Sequence, residues 1–515
     1  MLSANSKRIN QVKIGSVLSY VQMALSVIIG LLYTPYMIRL LGQSEYGLYN
    51  TVSSTISMLS ILNLGFTAGY IRYYAKYKSE NDDESIYRLN GLFLKIFSAI
   101  GLIAAVCGVY LSFNLNMVFK EGLTTEEYTL ARKLMILLTI HLAISFPMSV
   151  FPNIITAHEQ FVVLKLIGMI NTLVGPLVTL PLLLMGYRSV VMVLVTLGIS
   201  IIVDFIYIYF VIVKLREKFI FRSSKNGIFL SLLYYTGFIA INIIVDQVNT
   251  NIDKIILGRF IGTTGVAVYS VGFTLYMHYM SISTAVSSVF TPRIHRMINS
   301  DEKEGELKKR LTDLFVRVGR IQFIILSLIC LGFCIFGKFF IRHWAGEGYD
   351  ESYYVTIILM IPSIVTLTQN LGIEIQRAQN KHQFRSIAYL GMAIVNFIIS
   401  VFLCQKYGPI GCTIGTAISL VVANGIVMNV YYNKKCNIEI KQYWINILHL
   451  IKGLIIPIIF GITLQHLFHD NSLYIYIGKL LLFSTVYFVS MWYLGFNQYE
   501  KQLVMSLFRI RREIK

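Results

Sequence analysis

Runs of apolar residues long enough to cross a lipid bilayer constrain this chain more than any other feature. A hydrocarbon core about 30 Å thick needs about 20 residues of α-helix. Fourteen such stretches are expected, at 14–38, 46–70, 89–113, 134–156, 162–185, 189–213, 234–257, 265–290, 319–341, 353–373, 386–404, 409–432, 447–468 and 473–495. Inside lipid every backbone polar group must find a partner within its own segment, so the spans are read as helices. The expected fold class is an all-α polytopic membrane protein. Prolines at 147, 152, 176, 181 and 362 fall inside spans and predict kinks.

Composition excludes the main alternatives. Of 515 residues, 56% are hydrophobic and 14% charged, which rules out a water-soluble globule. The net charge of +19 sits in short loops between apolar spans, so the bias of Lys and Arg toward the cytoplasmic side explains it without nucleic acid. With the N-terminus inside, the inner segments hold about 32 Lys and Arg against about 10 outside, and an even number of spans returns the C-terminus to the same side. The expected location is a bacterial cytoplasmic membrane, multi-pass, with both termini cytoplasmic. Cysteines at 107, 330, 334, 404, 412 and 436 show neither metal-ligand spacing nor a disulfide framework. No phosphate-binding loop, HExxH or GxSxG motif occurs, so the reading is not an enzyme, with no cofactor.

The most costly segment is 238–257. Asn242, Asp246, Asn249 and Asp253 recur at i, i+4, i+7 and i+11, one face of a helix, with Lys254 beside them. The apolar residues of this span contribute ~5 kcal/mol of insertion energy, whereas each of Asp246, Asp253 and Lys254 costs ~3 kcal/mol near the bilayer centre. The stripe must therefore face protein or water. It is read as a cavity wall, with Asp246 and Asp253 as ion-coupling groups for a monovalent cation or proton.

The chain also repeats itself. Gly262-Thr-Thr-Gly265-Val-Ala267-Val-Tyr269 echoes Gly42-Gln-Ser-Glu45-Tyr-Gly47-Leu-Tyr49 at a shift of 220, and Phe290-Thr291 through Arg296 echoes Phe66-Thr67 through Arg72 at 224. Ala157-His158-Glu159-Gln160-Phe161 pairs with Asn380-Lys381-His382-Gln383-Phe384 at 223. Three ordered matches predict two six-helix lobes, 1–213 and 214–435, with an extra helix pair and tail at 436–515.

Cations mark the span ends: Arg39 and Arg259 on the outer side of this topology, Arg72, Arg293 and Arg296 on the inner side. Each can be a snorkelling anchor, yet corresponding places in two halves also suit a basic cavity, because guanidinium groups bind phosphates bidentately. Glu374 and Arg377, at i and i+3, are expected to pair.

The segments PYMIRLLGQSEYGLY (35–49), LNLGFTAGYIRYYAKY (62–77), DKIILGRFIGTTGVAVYSVGFTL (253–275) and FTPRIHR (290–296) resemble the polysaccharide transporter family. These are the Wzx-type flippases for O-antigen, capsule and exopolysaccharide units, in the multidrug/oligosaccharidyl-lipid/polysaccharide superfamily. The resemblance implies two lobes that alternate between inward and outward openings. It also implies an undecaprenyl-pyrophosphate-linked oligosaccharide as substrate, with its lipid tail left among the membrane lipids. Arg39, Arg72, Arg259, Arg293 and Arg296 would hold the pyrophosphate. Lipid II flippases and cation-coupled multidrug antiporters are the competing relatives. The antiporter reading is weakened because 14–38 contains no Asp or Glu.

Overall fold

The computed structural model describes residues 2–120, 123–222, 228–300, 303–381, 383–468 and 472–513, and these are helical nearly throughout. His382 of the third repeat match, and the end of the basic tail, lie outside the described residues. The first half comprises α1 (Leu2–Leu41), α2 (Gln43–Met58), α3 (Phe66–Ser79), α4 (Asp83–Phe113), α5 (Thr125–Met148), α6 (Val150–Ala157), α7 (Phe161–Leu184) and α8 (Ser189–Tyr209). The second comprises α9 (Ile228–Phe260), α10 (Thr263–Ser288), α11 (Thr291–Ile298), α12 (Glu304–Trp344), α13 (Asp350–Leu367), α14 (Leu371–Ala378), α15 (Gln383–Leu420) and α16 (Asn429–Lys435). Then follow α17 (Ile440–Ile451), α18 (Ile455–Leu467), α19 (Leu473–Ser490) and α20 (Gln498–Glu513).

Among the described residues, eleven helical segments are long and apolar enough to cross a membrane. The difference from fourteen has physical causes. The expected seventh and eighth spans fall on α9 and α10, helices of 33 and 26 residues whose polar faces leave them outside the eleven. The eleventh and twelfth are counted together in the one segment Gln383–Lys435, but Gly408, with non-helical backbone (φ 56°), divides it into two helices at the expected boundary, and Pro409 opens the second.

Breaks elsewhere are set by local chemistry. α2 gives way to α3 through a 3₁₀ turn at Leu59–Asn63 and left-handed Leu64 and Gly65. Thr124 caps α5 with Glu127 returning to the Thr124 backbone N–H, a capping box legible in TTEE.

The left-handed residues recur with the period of the sequence. Gly262 lies 220 residues after Gly42, Asn380 lies 221 after Glu159, Gly408 lies 222 after Gly186, and Asn437 lies 221 after Arg216. A hydrogen bond recurs too: Asn153 Nδ2 donates to Thr67 Oγ1 at 3.3 Å, and Thr291 Oγ1 donates to Glu374 Oε2 at 3.3 Å.

By packing, the chain forms two compact units, Met1–Ser270 with Tyr389–Cys412, and Val271–Ala388 with Thr413–Lys515. These differ from the lobes read from the repeat, because α9 packs along α2 and α3 within the first unit. There Phe66, Tyr70, Phe93, Phe97, Phe151 and Ile154 form one apolar core, and Leu48, Val52, Leu134 and Met135 belong to another. In the second unit Arg320 of α12 is only 2% exposed and reaches Glu500 of α20 through two bonds, Nε to Oε1 at 2.5 Å and Nη2 to Oε2 at 2.8 Å. Its remaining contacts are the carbonyls of Asn446 (2.7 Å) and Gly495 (2.9 Å).

Candidate functional site

α9 is unbroken, so Asn242, Asp246, Asn249 and Asp253 do share a face, and exposure falls along it from Asp246 to Asp253. Asp246 is exposed, Asn242 and Asn249 are half-buried, and Asp253 is buried at 2%. Lys254 is half-buried beside it. Tyr269 of α10 donates to Asp253 Oδ2 at 2.8 Å, which satisfies part of a carboxylate that apolar surroundings would penalise. Thr250 donates to the Asp246 carbonyl and Asn242 to that of Phe238, bonds that keep these polar groups on their own helix.

The close end of this face is formed by the two repeated motifs meeting each other. A Cβ on Gly47 would stand 1.8 Å from the Thr263 carbonyl oxygen, so only glycine fits there. One turn on, a Cβ on Gly258 would stand 2.5 Å from Thr51 Cγ2. Ser44 bonds both Thr263, at 3.1 Å, and Glu127. Glu45 is 7% exposed and accepts from Ser189 N (2.9 Å), Ser189 Oγ (2.5 Å) and Arg188 (2.9 Å), so it binds the N-terminus of α8 where a negative charge is favoured. Sequence reasoning used this motif as a repeat marker and missed its role as a junction of α2, α5, α8 and α10; a glutamate at the edge of an apolar span was the available signal.

Arg72 and Arg259 of the first unit do not lie together. Within the first unit, Arg72 stacks over Tyr235 at 4.1 Å, while Arg259 donates to the Met117 carbonyl at 2.5 Å. Tyr235 and Arg259 are 24 residues apart on α9, about 36 Å at 1.5 Å per residue. One headgroup cannot touch both. Arg39 and Arg72 are exposed, and Arg259 is half-buried with its donors on backbone oxygen. In the second unit Arg293 and Arg296 are exposed on α11, whose Ile294 and Met297 are buried.

A further polar network escaped sequence reasoning. His158 Nε2 lies 2.6 Å from Glu217 Oε1 and 2.9 Å from the Tyr74 hydroxyl. Asn90 donates to Glu217 Oε2 at 2.9 Å and accepts from Tyr70 at 2.7 Å. The network fastens the segment after α8 to α3 and α4. No spacing in the sequence connects these positions, which explains the omission. His141 of α5 is likewise met from far along the chain, 3.1 Å from Ser200 of α8.

Among the described residues no group of three or more His, Cys, Asp or Glu could hold a metal ion.

The fold is shared with transporters of known structure. The lipid II flippase MurJ, in an inward-closed conformation, is similar at 16% identity with a TM-score of 0.68, covering 92% of this chain and 97% of MurJ. An inward-facing multidrug resistance transporter of the MATE family and MOP superfamily gives 0.55 at 16% identity, over 81% and 99%. A MOP superfamily transporter from Pyrococcus furiosus gives 0.57 at 15% identity, over 82% and 96%. No curated protein sequence matches the chain significantly. The family model for "Polysaccharide biosynthesis protein" matches residues 13–298, more than half of the sequence, and the chain therefore belongs to that family.

Proposed function

We propose that this protein is a flippase that carries undecaprenyl-pyrophosphate-linked oligosaccharides across the bacterial cytoplasmic membrane by alternating access, for cell-surface polysaccharide biosynthesis. The observation that carries the reading is the combination of polysaccharide-biosynthesis membership with a flippase-type helical fold. The headgroup crosses along the wet face of α9, so its charges and hydroxyls avoid hydrocarbon, while the prenyl tail stays among membrane lipids. Exposed Arg72, Arg293 and Arg296 take the pyrophosphate at one face, and Arg39 and Arg259 serve the other; the 36 Å separation along α9 suits sequential rather than simultaneous contact. Asp246 and Asp253 are the ion-coupling pair, with Asn242, Asn249 and Lys254 lining the same face. The recurring left-handed positions support two homologous halves, 1–213 and 214–435, with 436–515 appended. Both termini are assigned to the cytoplasm on the Lys and Arg bias.

The test is mass spectrometry of lipid extracts from cells depleted of this protein. The expected result is accumulation of a strain-specific oligosaccharide-lipid with lipid II unchanged. The second reading, a lipid II flippase, draws on the higher TM-score to MurJ, and accumulation of lipid II would establish it instead. If neither lipid accumulates, the reading fails and cation-coupled drug export takes its place.

A further inference from the structure

We propose that Arg377 of α14 contacts the phosphate of the transported lipid and that Glu374 is its positioning residue. The proposal rests on the flippase reading above and adds a subsite to it within the second unit.

The argument starts from the hydrogen bond that both halves share. In the first half two neutral side chains make it, Asn153 to Thr67. In the second half the partner of Thr291 is a carboxylate, Glu374. A neutral amide makes the same bond at lower desolvation cost, so the carboxylate must do something further. Its second oxygen does: Glu374 Oε1 accepts from Arg377 Nη1 at 2.9 Å. Glu374 is thus held from two sides, by α11 through Thr291 and by its own helix through Arg377.

Burial is unequal across the pair, 19% side-chain exposure for Glu374 and 63% for Arg377. The anchor is inside and the guanidinium outside, with one nitrogen fixed and its other donors turned toward the surroundings. A planar guanidinium held at one corner is preorganised for the bidentate geometry that phosphate offers. The helix packed on α14 supplies the rest of the charge. Arg293 and Arg296 are three residues apart on α11 and both exposed, beside the face that buries Ile294 and Met297. Three guanidiniums against one carboxylate leave a surplus of positive charge on two short helices, the complement of a phosphoryl headgroup. The equivalent of Arg377 in the first half, 221 residues earlier, is Thr156, so the subsite belongs to one half only.

The sign of one substitution separates positioning from simple electrostatics. A carboxylate near a phosphate repels it, so if Glu374 does not orient Arg377, Glu374→Ala tightens binding. If it does, Glu374→Ala weakens binding. The experiment uses the full chain in phosphatidylcholine nanodiscs and measures the affinity of farnesyl pyrophosphate, with farnesol, inorganic pyrophosphate and phosphatidylglycerol nanodiscs as comparison arms. The expected result is about tenfold weaker binding of farnesyl pyrophosphate for Arg377→Ala and a similar loss for Glu374→Ala. Glu374→Gln, which keeps an acceptor oxygen, restores most of the affinity. Arg377→Lys, which keeps charge and loses the fork, does not. Unchanged affinity in Arg377→Ala, or tighter binding in Glu374→Ala, overturns the proposal. So does loss of farnesyl pyrophosphate binding in phosphatidylglycerol, which would make the patch a site for bulk anionic lipid. Absence of any pyrophosphate-dependent binding by the unsubstituted protein counts against the flippase reading itself, and so is distinguishable from failure of this subsite.

Discussion

Replacing Glu500 with alanine strands a charge that has no route to water. Arg320 is 2% exposed and spends two of its nitrogens on Glu500, at 2.5 and 2.8 Å. Removing one member of a buried pair costs ~3–5 kcal/mol, because the survivor stays desolvated and uncompensated. The Asn446 and Gly495 carbonyls still accept from the guanidinium, so the lower end of that range applies here, ~3 kcal/mol. Replacing the pair together, Arg320→Met with Glu500→Leu, removes the stranded charge; what it loses beyond the Asn497 N–H bond to Glu500 Oε2, which Glu500→Ala loses as well, is the two carbonyl bonds, ~1–2 kcal/mol in total. The coupling between the two positions should then exceed ~1 kcal/mol, with the double variant more stable than Glu500→Ala. Thermal unfolding of the purified protein in detergent micelles, followed by tryptophan fluorescence, reads this as a lower Tm for Glu500→Ala that the double variant partly recovers. If Glu500→Ala leaves Tm unchanged, water reaches Arg320 and the description of α20 as locked to α12 is wrong.

Further outcomes follow from the first unit. Gly47→Val should abolish the folded protein or lower its Tm more than Gly258→Ala, because Gly47 faces backbone at 1.8 Å whereas Gly258 faces a threonine side chain that can rotate; size-exclusion profiles and Tm read the order. Asp246→Asn should abolish the dependence of transport on the ion gradient while leaving Tm within the range of a surface change, and unchanged ion dependence would make Asp246 structural. Glu217→Ala removes the acceptor for His158 and Asn90 and should destabilise by ~2 kcal/mol, whereas Glu217→Gln keeps one acceptor and should lose less. Arg259→Ala should reduce flux less than Arg72→Ala in the lipid-accumulation assay, since the Arg259 donors are held by the Met117 carbonyl.

Helical fold class was legible because hydrocarbon admits few alternatives, and the expectation of two halves came from three short matches at nearly constant shifts of 220, 224 and 223. What the sequence could not locate was anything made by side chains far apart in the chain. Glu217 meets His158 across 59 residues and Arg320 meets Glu500 across 180, and neither separation has a periodicity to betray it. The seventh and eighth spans were read from the sequence where α9 and α10 lie, and these two helices, which carry polar groups of the candidate site, are the ones that fall outside the eleven apolar segments. The outer and inner placing of the arginines was already read from the sequence; what the structure adds is the partners of two of them, Tyr235 for Arg72 and the Met117 carbonyl for Arg259.

The contact between the repeated motifs bears on how such a protein moves. Gly42 and Gly262 both adopt left-handed backbone, φ 79° and 94°, immediately before α2 and α10, so each repeat enters its second helix by the same turn. Gly47 there approaches the Thr263 backbone so closely that a side chain at position 47 has no room, and Ser44 adds a hydrogen bond to the Thr263 hydroxyl at 3.1 Å. At its closest approach the seam is made of small residues and hydroxyls. A few hydrogen bonds of ~1 kcal/mol each hold it, and water replaces them when it opens. A closure meant to be permanent would bury aromatic or branched side chains, as the first-unit core does with Phe66, Phe93 and Phe97. Under the alternating access proposed above, this is a contact that forms and breaks in each transport cycle. Cross-linking of Ser44→Cys with Thr263→Cys should therefore arrest flux, with reduction restoring it; undiminished flux in the cross-linked protein would show that α2 and α10 stay together throughout.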